Sequence, residues 1–366
     1  MSESAKVLLV GSIARPDHGW SVEDVFRHSA TELRGYVAAL PDGELGDRSM
    51  WVTWLPRKVY SRHPDVVTTS RHTYDDWIPR GYDDTWKVTV REGVDALTFP
   101  TVGYAATAKA SYEVFRRLRD EGVIPSGVRF LVALPLTESA VRAFVTTARD
   151  YELLWRGYND AISRELEELA NVIPHQDLAI QWDLARETAA VEGAASGFSD
   201  LELEHVPSDP MERYLRALEE VAAGIPGDVQ LGLHVCYGSL GHKEGESPDA
   251  AHLVPLRDLG TAVEMLNRGV RACGRRVDYV HMPVQLSDKR DAFYAPLDRL
   301  DVGEARVFIG LVDPSDGVEG ALERVELARR HLSDFGVATP CGWGRRPGSE
   351  TPDSLLRLSR EVAERL

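Results

Sequence analysis

The run Leu231-Gly232-Leu233-His234-Val235-Cys236-Tyr237-Gly238 reads as a buried strand that ends in a turn. Alternate side chains of a strand share a face, so His234 and Cys236 point the same way where the strand stops. Comparable short apolar runs recur along the chain, and the full set is 6–10, 36–40, 96–100, 129–134, 178–183, 230–236, 277–281, 306–312 and 336–339. Between them, 150–171 and 210–223 carry apolar residues at three-to-four spacing, the pattern of covering helices, with the acidic stretch 165–168 expected to face water. Strand and helix in alternation signal parallel βαβ units. The expected fold is therefore α/β, a (β/α)8 TIM barrel. Nine strand-like runs compete for eight places, so one must lie outside the barrel.

A barrel routinely takes 250 residues or more as one core, and a chain of 366 residues can be a single domain, 1–366. No Ser/Gly/Pro-rich linker and no repeat of 20 to 50 residues divides it. The segment 51–86, with Trp51, Trp54, Trp77 and Trp86, is polar and aromatic and reads as an insertion after the second strand, 51–90 with its flank. It is either a packed surface excursion or a lid over a site.

Composition narrows the partners. Asp and Glu number 58 against 42 Lys and Arg, for a net charge of -16, which repels phosphate backbones and anionic lipid surfaces. Neither nucleic acid nor a membrane is expected as a partner. The apolar runs are far shorter than the roughly 20 residues that cross a bilayer, and residues 1–6 lack the pattern of a signal peptide, so a cytoplasmic location is expected. Three cysteines, Cys236, Cys273 and Cys341, are too few and too odd for a disulfide framework and leave room for a metal or catalytic role.

Cys341 lies in Ala338-Thr339-Pro340-Cys341-Gly342-Trp343-Gly344, where Pro and Gly hold a turn just past an apolar run. It is a plausible third partner for His234 and Cys236. Zinc accepts imidazole and thiolate tetrahedrally, and three protein ligands leave a fourth position for a substrate. Taken alone the pairing is weak, and the same residues read more readily as ordinary buried side chains.

The surrounding motifs decide between these readings. Val10-Gly11-Ser12 with Arg15-Pro16, Pro41-Asp42-Gly43-Glu44 with Asp47-Arg48-Ser49-Met50, Ala179-Ile180-Gln181-Trp182-Asp183 with Arg186-Glu187, His234-Val235-Cys236-Tyr237, and Cys341-Gly342-Trp343-Gly344-Arg345-Arg346 occur in this order. Together they resemble the C-terminal catalytic barrel of cobalamin-independent methionine synthase, in the superfamily that also holds uroporphyrinogen decarboxylase. The resemblance implies His234, Cys236 and Cys341 as ligands of a Zn2+ cofactor. It implies Glu44 and Asp183 as receivers of the amino group of a homocysteine-like thiol, with Ser12 near its carboxylate. It also implies a methyl or alkyl transferase that activates the thiol as a thiolate and takes the carbon from a donor, with folate or a corrinoid protein as candidate sources. Where the family has a Glu zinc ligand, this chain has Asp278-Tyr279-Val280-His281-Met282-Pro283, and His281 is the best-placed substitute as ligand or catalytic group.

Other residues carry weaker expectations. His242, in the polar loop after 230–236 with Lys243 and His252, is placed where barrels make substrate contacts. Asp313, before Pro314, is a general base or a turn former. Arg345 and Arg346 either hold an anionic group or stay solvated, and Cys273 at a helix end is structural. The competing functions are a carbon–sulfur lyase or decarboxylase-like enzyme on the same barrel, and a ligand-binding barrel without turnover.

Overall fold

The computed structural model describes residues 5–71, 84–194, 197–238, 249, 252–345 and 350–366. Eight strands make one sheet: β1 (Val7–Leu8), β2 (Ala39–Pro41), β3 (Arg129–Pro135), β4 (Leu178–Leu184), β5 (Gln230–Val235), β6 (Tyr279–Pro283), β7 (Arg306–Gly310) and β8 (Gly336–Ala338). Their order around the sheet is β1-β8-β7-β6-β5-β4-β3-β2, and every pairing is parallel. The N–H groups of Lys6 and Val7 both donate to the Tyr36 carbonyl, at 2.9 and 3.0 Å, and this draws the β1 edge onto the approach to β2. The result is a (β/α)8 barrel.

Period two sorts the strand residues into two cores. Ala5, Leu8, Val10, Ala38, Ala39, Leu131, Ala179, Tyr279, Phe308 and Ala338 fill the inside of the barrel. Leu178, Ile180, Trp182, Leu231, Leu233 and Val235 face outward, into the larger apolar cluster shared with the helices. The interior is crowded: a Cβ on Gly232 would overlap the Tyr279 ring, so the glycine is what admits that aromatic. Val22–Glu32, Tyr104–Asp120, Ala148–Val172, Pro210–Ala222, Gly260–Ala272, Gly317–Arg329 and Pro352–Glu364 cover the outside. Two of these start on a side-chain cap followed by Pro at the first turn, Asp209 accepting from the Glu212 N–H and Thr351 from that of Ser354.

The run that lies outside the barrel is 96–100, which forms no strand. Leu97 and Phe99 are buried nonetheless, with Phe99 against Tyr60 at 5.2 Å between ring centroids. It belongs to the insertion between β2 and Tyr104–Asp120, which also holds an antiparallel hairpin, Val66–Ser70 with Lys87–Val90. Within the acidic stretch 165–168, Glu165 departs from expectation. It is buried and accepts hydrogen bonds from Thr101 Oγ1 and from the N–H groups of Val102, Gly103 and Ala105. Those donors lie at the start of helix Tyr104–Asp120, where the first N–H groups have no partner within the helix and the dipole favours an anion. Among the described residues, no helix is long and apolar enough to cross a membrane.

Candidate functional site

The C-terminal ends of the strands open onto a cavity, the end at which barrels of this kind carry their chemistry. Strand register builds its floor. Asp183 on β4 pairs with His234 on β5, and His234 pairs with His281 on β6, so three inward side chains form one layer. One layer below, Gln181 pairs with Gly232 and Gly232 with Tyr279. The Tyr279 hydroxyl donates to Gln181 Oε1 at 3.0 Å. Gln181 Nε2 then donates to the Val10 carbonyl and to Asp183 Oδ1, at 2.6 and 2.9 Å. A buried amide thus fixes the carboxylate above it.

His234, Cys236 and Cys341 meet at the cavity wall, with their ligand atoms all within 4.8 Å of one another. The two sulfurs are 3.2 Å apart, and the Gly238 N–H donates to Cys236 Sγ at 3.3 Å. Cys341 is held well below its ordinary value, first because it accepts a hydrogen bond from Cys236, and further by His234 and the charge of Arg345. Cys236 is pushed well up by the same contact and by burial. This set fits zinc: it is soft, buried and compact. Tetrahedral bonds of about 2.3 Å separate two sulfurs by roughly 3.8 Å, so the thiols need open by only about half an ångström.

His281 stands against this trio rather than in it. Its Nδ1 faces Nδ1 of His234 at 2.6 Å, a contact that needs a proton on one nitrogen and a lone pair on the other. Burial and the neighbouring His234 push His281 well below its usual value, so its ring is neutral. The edge of His234 opposite that bond is the one left for a metal.

Glu44 reaches the cavity from a strained loop. Its φ is 52°, in the left-handed region that a non-glycine residue rarely occupies. Its Oε2 accepts from Arg345 Nη1 at 2.5 Å, with both side chains nearly buried. A Cβ on Gly11 would strike Glu44 Oε1, so glycine there is what leaves space for the carboxylate. Burial, reinforced by the charge of Glu44 and opposed by His234, pushes Asp183 up to about 7.

The sequence matches no protein-family model and no curated protein sequence. Solved structures do match. A B12-independent methionine synthase from Shewanella sp. W3-18-1, in complex with selenomethionine, superposes with a TM-score of 0.61 and 14% identity, over 99% of this chain and 97% of that one. A putative vitamin-B12-independent methionine synthase from Listeria monocytogenes gives 0.53 and 12%, over 99% and 98%. The chain has the fold of the B12-independent methionine synthases.

On that methionine synthase fold, the residues singled out in the sequence separate into groups. Glu44, Asp183, His234, Cys236 and Cys341 all line the cavity, and His281 lies directly behind His234. Ser12 is buried beside the Cys341 turn, its carbonyl accepting from the Trp343 N–H at 2.7 Å, and its hydroxyl has no partner among the described residues. Asp313 is buried outside the set that lines the cavity. Its Oδ1 accepts from the Ser315 N–H at 3.0 Å, the arrangement of a turn. Cys273 caps the end of Gly260–Ala272, where burial pushes its thiol up to about 12. His242, Lys243 and Arg346 lie outside the described residues.

The insertion supplies Trp51, Val52, Thr53 and Thr85 to the cavity wall. Thr85 Oγ1 and Lys87 Nζ both donate to the Ala143 carbonyl, which ties that wall to the barrel. Phe144, Leu253 and Arg186 also line it, and none of the three was given a role from sequence. Arg186 had a signal in its place just past the β4 carboxylate, but Phe144 and Leu253 had none.

Proposed function

We propose that this chain is a zinc-dependent alkyl or methyl transferase of the methionine synthase kind, with a small thiol as the nucleophile. The observation that carries the proposal is the convergence of one imidazole and two sulfurs within 4.8 Å on the wall of the cavity at the C-terminal ends of the strands. The selenomethionine in the Shewanella structure supports an amino-acid-sized substrate.

His234, Cys236 and Cys341 would hold the metal. When bound, zinc lowers the pKa of a substrate thiol from roughly 8.5, so that sulfur is nucleophilic at neutral pH. The rest of the work falls to the chain's own groups. Asp183, raised to about 7, is matched to receive the thiol proton. Its Oδ1 is occupied by Gln181, which leaves Oδ2 toward the substrate. His281 holds the ring of His234 through Nδ1 and so fixes which nitrogen faces the sulfurs. Trp51, Val52, Phe144 and Leu253 give the cavity an apolar side, which excludes water from the attacking sulfur and suits an uncharged alkyl group.

Cobalt-substituted protein titrated with homocysteine tests the proposal. A new sulfur-to-cobalt charge-transfer band is expected as the thiol enters the coordination sphere. An unchanged spectrum at saturating thiol would count against it.

A further inference from the structure

Resting on the zinc–thiol reading above, we propose that Arg345 is the anchor for an acid group on the thiol substrate, and that the site favours a short mercapto acid over a thiol carrying an ammonium group. Glu44 is the carboxylate that the sequence resemblance assigns to an amino group, yet its Oε2 already accepts from Arg345 Nη1 at 2.5 Å. An ammonium on Glu44 would have to sit beside a guanidinium buried in the same wall, where like charges repel strongly. Arg345, in contrast, has donors to spare. Among the described residues, Glu44 is its one hydrogen-bond acceptor, so its remaining N–H groups are free for a planar acid. A bidentate carboxylate would complete what the protein leaves open.

The turn that carries Cys341 also aims the guanidinium. Arg345 Nη2 folds back over Gly342, where any Cβ would collide with it. The same turn places the guanidinium close enough to Cys341 for its charge to be felt at the sulfur. Metal-binding sulfur and acid-binding guanidinium are therefore only a few residues apart on one wall. The sulfur and the acid group of one small substrate would therefore engage the same wall.

The test compares three thiols on cobalt-loaded protein: 3-mercaptopropionate, 2-aminoethanethiol and homocysteine, each followed by the sulfur-to-cobalt band. In the wild-type chain, 3-mercaptopropionate is expected to bind at least tenfold more tightly than either amine-bearing thiol. Arg345→Gln is expected to erase that preference while leaving 2-aminoethanethiol no weaker. Equal affinity for the three thiols overturns the inference and leaves the zinc–thiol reading standing. So does an Arg345→Gln variant that weakens all three alike, since the arginine would then only balance the charge of the cysteines. A spectrum that none of the thiols changes overturns the zinc–thiol reading itself, and this inference with it. The wild-type ranking needs no variant and so stands even if Arg345→Gln does not fold.

Discussion

Zinc loading is expected to raise the melting temperature of the wild-type chain by several degrees, and Cys341→Ser is expected to abolish that rise. The ligand atoms already lie within 4.8 Å of each other, so binding draws on a site formed in the folded state and absent from the unfolded one. A metal that binds only the folded state at 100 times its dissociation constant adds about 2.7 kcal/mol of stability, and at 1,000 times about 4.1 kcal/mol. With 366 residues and roughly 2.1 cal/mol/K of unfolding entropy per residue, the whole chain has about 0.77 kcal/mol/K. The quotient is a shift of about 3.5 to 5 °C. Scanning calorimetry of protein stripped with a chelator, then of the same protein reloaded with zinc, reads it directly. Metal analysis should give about one zinc per chain. Cys273→Ser is the control: Cys273 is buried at a helix end, so its loss lowers the baseline melting temperature but leaves the zinc increment intact. A full increment in Cys341→Ser would refute the reasoning, as would its loss in Cys273→Ser alone.

Two further outcomes follow from the same geometry. His281→Ala should weaken zinc binding by about 10- to 100-fold, the usual effect of losing the partner that orients a metal-bound histidine. The cobalt spectrum should keep its ligand set, and loss of a nitrogen ligand would instead make His281 a ligand. Glu187 is fully buried against Ser139, which donates to it through N–H and Oγ at 3.0 and 2.5 Å, and burial pushes its carboxyl up from 4.5 to about 8. The folded state thus holds a proton that the unfolded state has lost. The stabilisation is complete below pH 4.5 and declines as the pH rises toward 8, by a few kcal/mol in order of magnitude. Glu187→Gln should flatten that decline and unfold in more urea than wild type at pH 8 to 9. Parallel pH profiles would exclude a titrating Glu187.

How much of this was legible in the sequence depends on the range of the interaction that fixes each feature. Barrel strands buried on both faces read as apolar runs whatever lies around them, so eight were found near their places. The run 96–100 was read as a ninth because a buried irregular segment has the same composition as a short strand. His234 and Cys236 were legible as a pair because period two within one strand is a local rule. Glu165 was not, because its burial depends on N–H groups some 60 residues earlier, at the start of another helix. The Glu44–Arg345 pair spans 301 residues, and the facing of His234 and His281 depends on the register of β5 against β6. Neither has a trace in local sequence pattern. The partner of Arg345 appears only when the loop after β2 and the turn after β8 meet across β1.

That meeting explains why the loop after β2 is built as it is. Glu44 and Trp51 both take positive φ, 52° in each case, and both line the cavity, so the strain sits at the site. Each such residue costs of order 1 kcal/mol or more and persists only where its surroundings over-determine it. Asp42 supplies that constraint. Fully buried, its carboxylate accepts from the Arg48 guanidinium, from Ser111 Oγ at 2.9 Å and from the Glu44 N–H at 3.1 Å. The Arg48 charge and these hydrogen bonds hold its carboxyl below the usual value against the opposing effect of burial. Removing one partner of such a buried pair is strongly destabilising. The loop is therefore pinned at both ends of the strained segment, by Asp42 before Glu44 and by Arg48 before Trp51. A loop needed only to connect β2 to the next helix would relax both residues into the β or right-handed region. Holding them where they are keeps Glu44 against Arg345 and Trp51 on the cavity wall, and in a chain with this cluster of His and Cys the strain is best spent on a substrate.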